Sequence, residues 1–168
     1  IFYAVSLASQ LISFQMGFGM VSIMDPNTSS RVSVINQFQM VVATLLFFIV
    51  NGHHMFFEAL INSYQHVGPG TIIMSQDYLK EMISISASVF VVGFKIAAPV
   101  AVILLITNAG FGVLARAVPQ MNVFMVSFPL TISIGFIILG LSVPLFVTLL
   151  GNEFREINNN IFRVLKTL

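Results

Sequence analysis

Four long runs without a formal charge dominate the pattern of this chain: residues 1 to 24, 32 to 57, 96 to 115 and 117 to 152 contain no Asp, Glu, Lys or Arg. A helix needs roughly 20 apolar residues to cross a hydrocarbon core of about 30 Å, so each run is long enough to span one. Turn-forming residues divide the runs into helices. The cluster Asp25-Pro26-Asn27-Thr28-Ser29-Ser30 ends a first helix over about residues 1 to 21. A second is expected over 34 to 65; it carries the apolar stretch from Val41 to Val50, continues through Asn51-Gly52-His53-His54, and is stopped by Gly68-Pro69-Gly70. A third opens near Ser75, an N-cap candidate with Asp77 in the first turn, and runs to Arg116. Pro99 is its weak point, because a proline has no N–H to return to the carbonyl of Lys95. A fourth helix is expected over 122 to 150, interrupted by Pro129 and Pro144 and ended by Gly151-Asn152, with a short amphipathic tail helix over 153 to 166. The fold class is all-α: one helical region over 1 to 168, of the integral membrane type, built from long, kinked helices and hairpins. Pro, Gly, Asn and His inside the apolar runs suit helices whose backbones are covered by partners rather than by lipid alone.

Composition turns this pattern into a constraint. With 57% apolar and 8% charged residues, against about 25% charged in a typical soluble domain, the chain has too little charge to solvate its outside. Lipid or other subunits must cover it. The net charge of +1 and the absence of Trp leave no basic stripe for nucleic acid. Zero cysteines exclude disulfides and thiolate metal sites and fit a cytoplasmic-membrane protein. The sequence begins at Ile1, inside an apolar run, as expected of the C-terminal portion of a longer chain.

Few residues could carry chemistry. Met16, Met20 and Met24 recur every four residues, with Phe14 and Phe18 on the same turns and Gly17 and Gly19 between them. Two readings stand: an ordinary apolar packing face, or a soft seal that can re-pack beside the Asp25-Pro26 loop. Adjacent His53 and His54 point about 100° apart and cannot share a metal; His54 and Glu58, one turn apart, could, but lack a third ligand, so no metal site and no cofactor are expected. Lys95, alone in an apolar context, snorkels to an interface or pairs with an acid of a neighbouring chain, ahead of a proton-relay role. Arg116, Pro119, Gln120, Met121 and Asn122 make a polar break between two apolar helices, read either as a site where side chains satisfy freed carbonyls or as a plain cytoplasmic-side loop. No nucleophile-base spacing, phosphate-cradling loop or carboxylate pair stands out, so an enzyme is not expected.

Four islands, in this order along the chain, resemble the FliR family of the bacterial flagellar type III export gate, the counterpart of SctT in virulence systems. They are Gln15-Met16-Gly17-Phe18 leading to Met24-Asp25-Pro26; Leu45 to Val50 followed by Asn51-Gly52-His53; Leu114 to Phe124, containing Arg116, Pro119, Gln120 and Asn122; and Ser127-Phe128-Pro129-Leu130. Ser127 and Thr131 stand where the family often has Gly and Lys. The resemblance implies a subunit that assembles with FliP-type and FliQ-type subunits, and with an FlhB-type switch protein, into a cone-shaped channel for unfolded flagellar proteins. It also implies a place in the inner membrane at the flagellar basal body, in contact with lipid, with much of the gate above the membrane plane. Carried over by position, the pore plug comprises Met16, Gly17, Phe18, Gly19, Met20, Ile23 and Met24, with Asp25 and Pro26 after them. Asn51, Gly52, His53, Lys95, Arg116, Pro119, Gln120, Asn122, Phe128 and Pro129 become structural or assembly contacts. A secondary transporter using Lys95 is the alternative; an intramembrane enzyme using His54 and Glu58 is a third reading.

Overall fold

The computed structural model describes residues 1–18, 33–66, 76–120 and 122–167. Among them are five helices: α1 (Phe2–Gln15), α2 (Val34–Ile49), α3 (Gly52–His66), α4 (Gln76–Ala117) and α5 (Val123–Thr167). α1 is the hub. Ala4, Val5, Ala8, Ser9, Ile12 and Ser13 are all buried, which at helical spacing makes a broad stripe of mostly small side chains. Small residues let neighbouring backbones come close, and that is the commonest basis of helix association where water does not drive it.

Each neighbour uses a different part of that stripe. α2 runs antiparallel to α1 along a polar seam: Ser9 shares its single hydroxyl proton between the carbonyl of Val5 at 2.8 Å and Gln39 Oε1 at 2.6 Å. Ser13 and Ser33 hydroxyls meet at 2.5 Å. α4 approaches at Gly93, where a Cβ would lie 2.8 Å from Leu7 Cδ2 and 3.1 Å from the carbonyl oxygen of Ala4. α5 runs antiparallel to α1, with Phe154 against Phe2 near one end and Gly135 against Met16 near the other. Val92, Ile96, Ala97, Val100 and Leu104 of α4 and Leu139, Phe146, Leu150 and Phe154 of α5 complete the core around α1. α3 lies against α5.

Three boundaries differ from expectation. The helix expected over 34 to 65 is two helices, bent by 64° between Ile49 and Gly52. Asn51 adopts a left-handed backbone, φ 55°, which ends α2, and its carbonyl then accepts the N–H of His54 at 2.9 Å to start α3. The break expected at Gly151-Asn152 is absent: α5 continues to Thr167. A glycine inside a helix costs about 1 kcal/mol, but Leu150 and Phe154 on either side are buried at 0% and 1% exposure, and their packing holds the helix together. α1 stops at Gln15 instead of reaching residue 21, because Gly17 takes φ +88°. Pro99, Pro129 and Pro144 lie within continuous helices.

α4 and α5 include stretches, Tyr78–Ala117 and Met125–Glu156, long and apolar enough to cross a membrane, and the bent α2–α3 pair makes a third candidate. The 42 residues of α4 measure about 63 Å, twice a hydrocarbon core, so this hairpin is too long to be covered by lipid alone along its whole length if it stands upright.

The α1–α4 seam gives a direct test. Gly93→Leu puts a side chain into the carbonyl of Ala4, and overpacking of this kind costs about 1–3 kcal/mol. Gly110, with nothing within 4 Å of a built Cβ, gains helix propensity as Ala, about 1 kcal/mol at most. Thermal unfolding of the detergent-solubilised full-length protein should fall clearly for Gly93→Leu and stay level or rise for Gly110→Ala.

Candidate functional site

The first island of the sequence pattern ends up on the last. Met16 caps α1 in helical geometry, donating its N–H to the carbonyl of Ile12, and its side chain is fully buried. A Cβ on Gly135 would lie 2.7 Å from Met16 Cγ and Cε and 2.8 Å from Sδ, so the thioether lies directly along the α5 backbone. Gly17 then turns left-handed, with its N–H on the carbonyl of Phe14 at 3.0 Å; a Cβ there would lie 3.0 Å from Phe128 Cε2. The ring of Phe18 meets that of Phe136 edge-on, with centroids 6.4 Å apart. Phe128 and Gly135 are seven residues apart, so they share one face of α5. Thr131 lies between them, 6% exposed, with its hydroxyl donating to the carbonyl of Ser127 at 2.7 Å. The local hydrogen bond satisfies that hydroxyl without another helix. A lysine at this position would have to bury its charge or displace the packing.

The second island builds the elbow at the other end of α1. Phe47 stacks against Phe2 and Phe154 at 5.9 and 5.6 Å, and Gly52 lies so close to the Phe47 ring that a Cβ would overlap it. Phe48 contacts the ring of His53 at 5.5 Å, and His53 contacts His54 at 4.3 Å. His53 Nδ1 is buried with no hydrogen-bond partner, as is Asn36 Oδ1. His54 and Glu58 are both exposed, and among the described residues no three His, Cys, Asp or Glu come together as metal ligands.

Other sequence candidates lie apart from both assemblies. Lys95 is exposed on α4, off the Val92-Ile96-Ala97-Val100 face that packs on the core. Arg116, Pro119, Gln120 and Asn122 are exposed at the α4–α5 connection, where the Asn122 carbonyl accepts the N–H of Met125 at 3.0 Å. Twelve residues of α5, about 18 Å of helix, separate its start at Val123 from Gly135. Gly19, Met20, Ile23, Met24, Asp25 and Pro26 lie outside the described residues. Gly135, Phe136 and Phe154 had no signal in the sequence: Gly140, five residues from Gly135, looks the same in the pattern yet meets nothing within 4 Å.

Two apolar helices long enough to cross a membrane, with a bent third pair, packed on a helix of small residues, define an all-helical protein of the membrane-embedded class. The model of the family described as "Bacterial export proteins, family 1" matches residues 1–157, and the chain belongs to that family. It is similar to the flagellar biosynthetic protein FliR of Bacillus subtilis (strain 168), 32% identical over 154 residues that cover 90% of this chain and 60% of that protein. The FliR of Aquifex aeolicus (strain VF5) is 32% identical over 156 residues, 93% of this chain and 60% of that protein. That of Escherichia coli (strain K12) is 27% identical over 167 residues, 99% of this chain and 64% of that protein. The chain thus spans about three-fifths of the length of these curated relatives.

The elbow's left-handed residue is open to test. Asn51→Gly should leave thermal stability of the full-length protein nearly unchanged, because glycine adopts φ 55° freely. Asn51→Val should lower stability by about 1–2 kcal/mol, the cost of a left-handed backbone for a residue with Cβ branching.

Proposed function

We propose that this chain is the gating part of a subunit of the flagellar type III protein export channel. In this reading it sits in the bacterial inner membrane at the flagellar basal body and assembles with FliP-type and FliQ-type subunits and an FlhB-type switch protein. Unfolded flagellar proteins pass through the channel. The chain hydrolyses nothing and holds no cofactor; its contribution is shape and closure.

One observation supports the gating role above the rest. The chain leaves α1 through a left-handed glycine held against Phe128, with Met16 sunk into α5 just before it. Packing therefore holds the first three residues of the Met/Gly/Phe segment, Met16 to Phe18, on α5. That segment, Met16 to Met24, has the composition of an adaptable apolar seal: unbranched polarizable side chains on a glycine-rich backbone. Names of the relatives tie the family to flagellar biosynthesis. The transporter alternative has no such support, since Lys95 is exposed on α4, off the face that packs on the core.

Deleting Gly17 to Ile23 from the full-length protein should leave its partner complement intact, while the cells become leaky to small ions. Membrane conductance of the deletion strain, compared with wild type in the absence of export substrate, reads this out. An unaltered conductance would remove the segment from the role of seal.

A further inference from the structure

We propose that Gly135 is a positioning residue for the seal: its missing side chain leaves a socket in α5 that holds Met16 and keeps the end of α1 seated in closed and exporting gates alike. The proposal rests on the reading of this chain as a gate subunit.

Three consecutive residues each have their own contact on α5. Met16 lies along Gly135, Gly17 is walled by Phe128, and Phe18 meets Phe136. Rotating or sliding α1 to relieve one contact breaks the other two. Met16 is 0% exposed, so unseating it would open an apolar cavity, a costly change in a packed core. The socket is also dry in its chemistry. The buried hydroxyl one turn before Gly135, that of Thr131, is satisfied by the Ser127 carbonyl of its own helix. A seat of this kind suits the root of an ion seal: rigid, apolar, and specific to one glycine. Gly140 and Gly151 of the same helix have nothing within 4 Å and make no comparable contact.

The geometry supplies its own probe. A Cβ at residue 135 would be 2.7 Å from Met16 Cγ. With a C–C bond of about 1.5 Å, the two Cβ atoms are then within about 4.2 Å, inside the usual disulfide range. The sequence contains no cysteine to compete. Met16→Cys combined with Gly135→Cys, in the full-length protein assembled with its co-expressed partners, should cross-link under oxidant and still secrete flagellar substrate at the uncross-linked rate. Failure to cross-link would overturn the contact. Cross-linking that stops secretion until reductant is added would overturn the fixed seat, because the socket would then have to open.

A second pair of variants reads positioning apart from folding. Gly135→Leu should raise resting ion conductance about tenfold, the equilibrium shift expected of an overpacking cost above 1 kcal/mol, with the partner complement unchanged. Adding Met16→Ala, which gives the new side chain the vacated space, should bring conductance back towards wild type. If Gly135→Leu assembles and does not leak while deletion of Gly17 to Ile23 does, the positioning role is wrong and the gate reading stands; if neither leaks, the gate reading itself falls.

Discussion

How closely α1 can be approached is the constraint on which the rest of the structure depends. Ala4 admits the backbone of α4 at Gly93, Ser9 and Ser13 admit α2 through short hydroxyl contacts, and Met16 enters α5 at Gly135. None of these contacts depends on bulk hydrophobicity, which cannot distinguish an inward Leu from an outward one when lipid or another apolar subunit lies outside. Small side chains let α2 and α4 pack closely along α1, while α5 meets the α1 segment chiefly at its two ends. The two ends of α1 are then fixed by different means: an aromatic cluster of Phe2, Phe47 and Phe154 at the start, and the Met16–Gly135 socket at the finish.

The remaining surface follows from the same economy of contact. With the core gathered on α1, most of the apolar side chains of α3, α4 and α5 face outward: Phe56, Phe57, Ile61, Val91, Phe94, Leu105, Ile106, Val113, Met125 and Leu141 are all more than half exposed. Monomeric soluble proteins rarely present so continuous an apolar surface. The α4–α5 hairpin extends well beyond the end of α1, so its outer part has no partner helix among the described residues from this chain. A chain folded in this way is half of an arrangement, with the other half supplied by lipid and by neighbouring subunits in the proposed gate.

The helical class and the approximate places of the long helices were legible because uncharged runs and proline-glycine clusters are strong, local signals. Finer boundaries were not. Gly151-Asn152 reads as a stop in any local accounting, and only the burial of Phe154 against Phe2 and Phe47 from distant segments carries α5 through it. Asn51 reads as a polar blemish in a helix, and its left-handed backbone becomes visible only once Phe47 and Gly52 pack face to face. At the candidate site, Met16, Gly17, Phe18 and Phe128 stood out by residue type, whereas Gly135 did not, because what matters there is an absent side chain opposite a present one. Lys95, Arg116 and Gln120 stood out by polarity, yet the fold leaves all three on the surface of this chain.

The central claim is that this apolar exterior is completed by other subunits. Native mass spectrometry of the full-length protein, co-expressed with its neighbouring membrane proteins and purified in detergent, tests it most directly. The account predicts one copy of this chain held in a large complex with several copies of two other small helical subunits. A stable monomer or simple homodimer, recovered with those neighbours present in the same membrane, would contradict it.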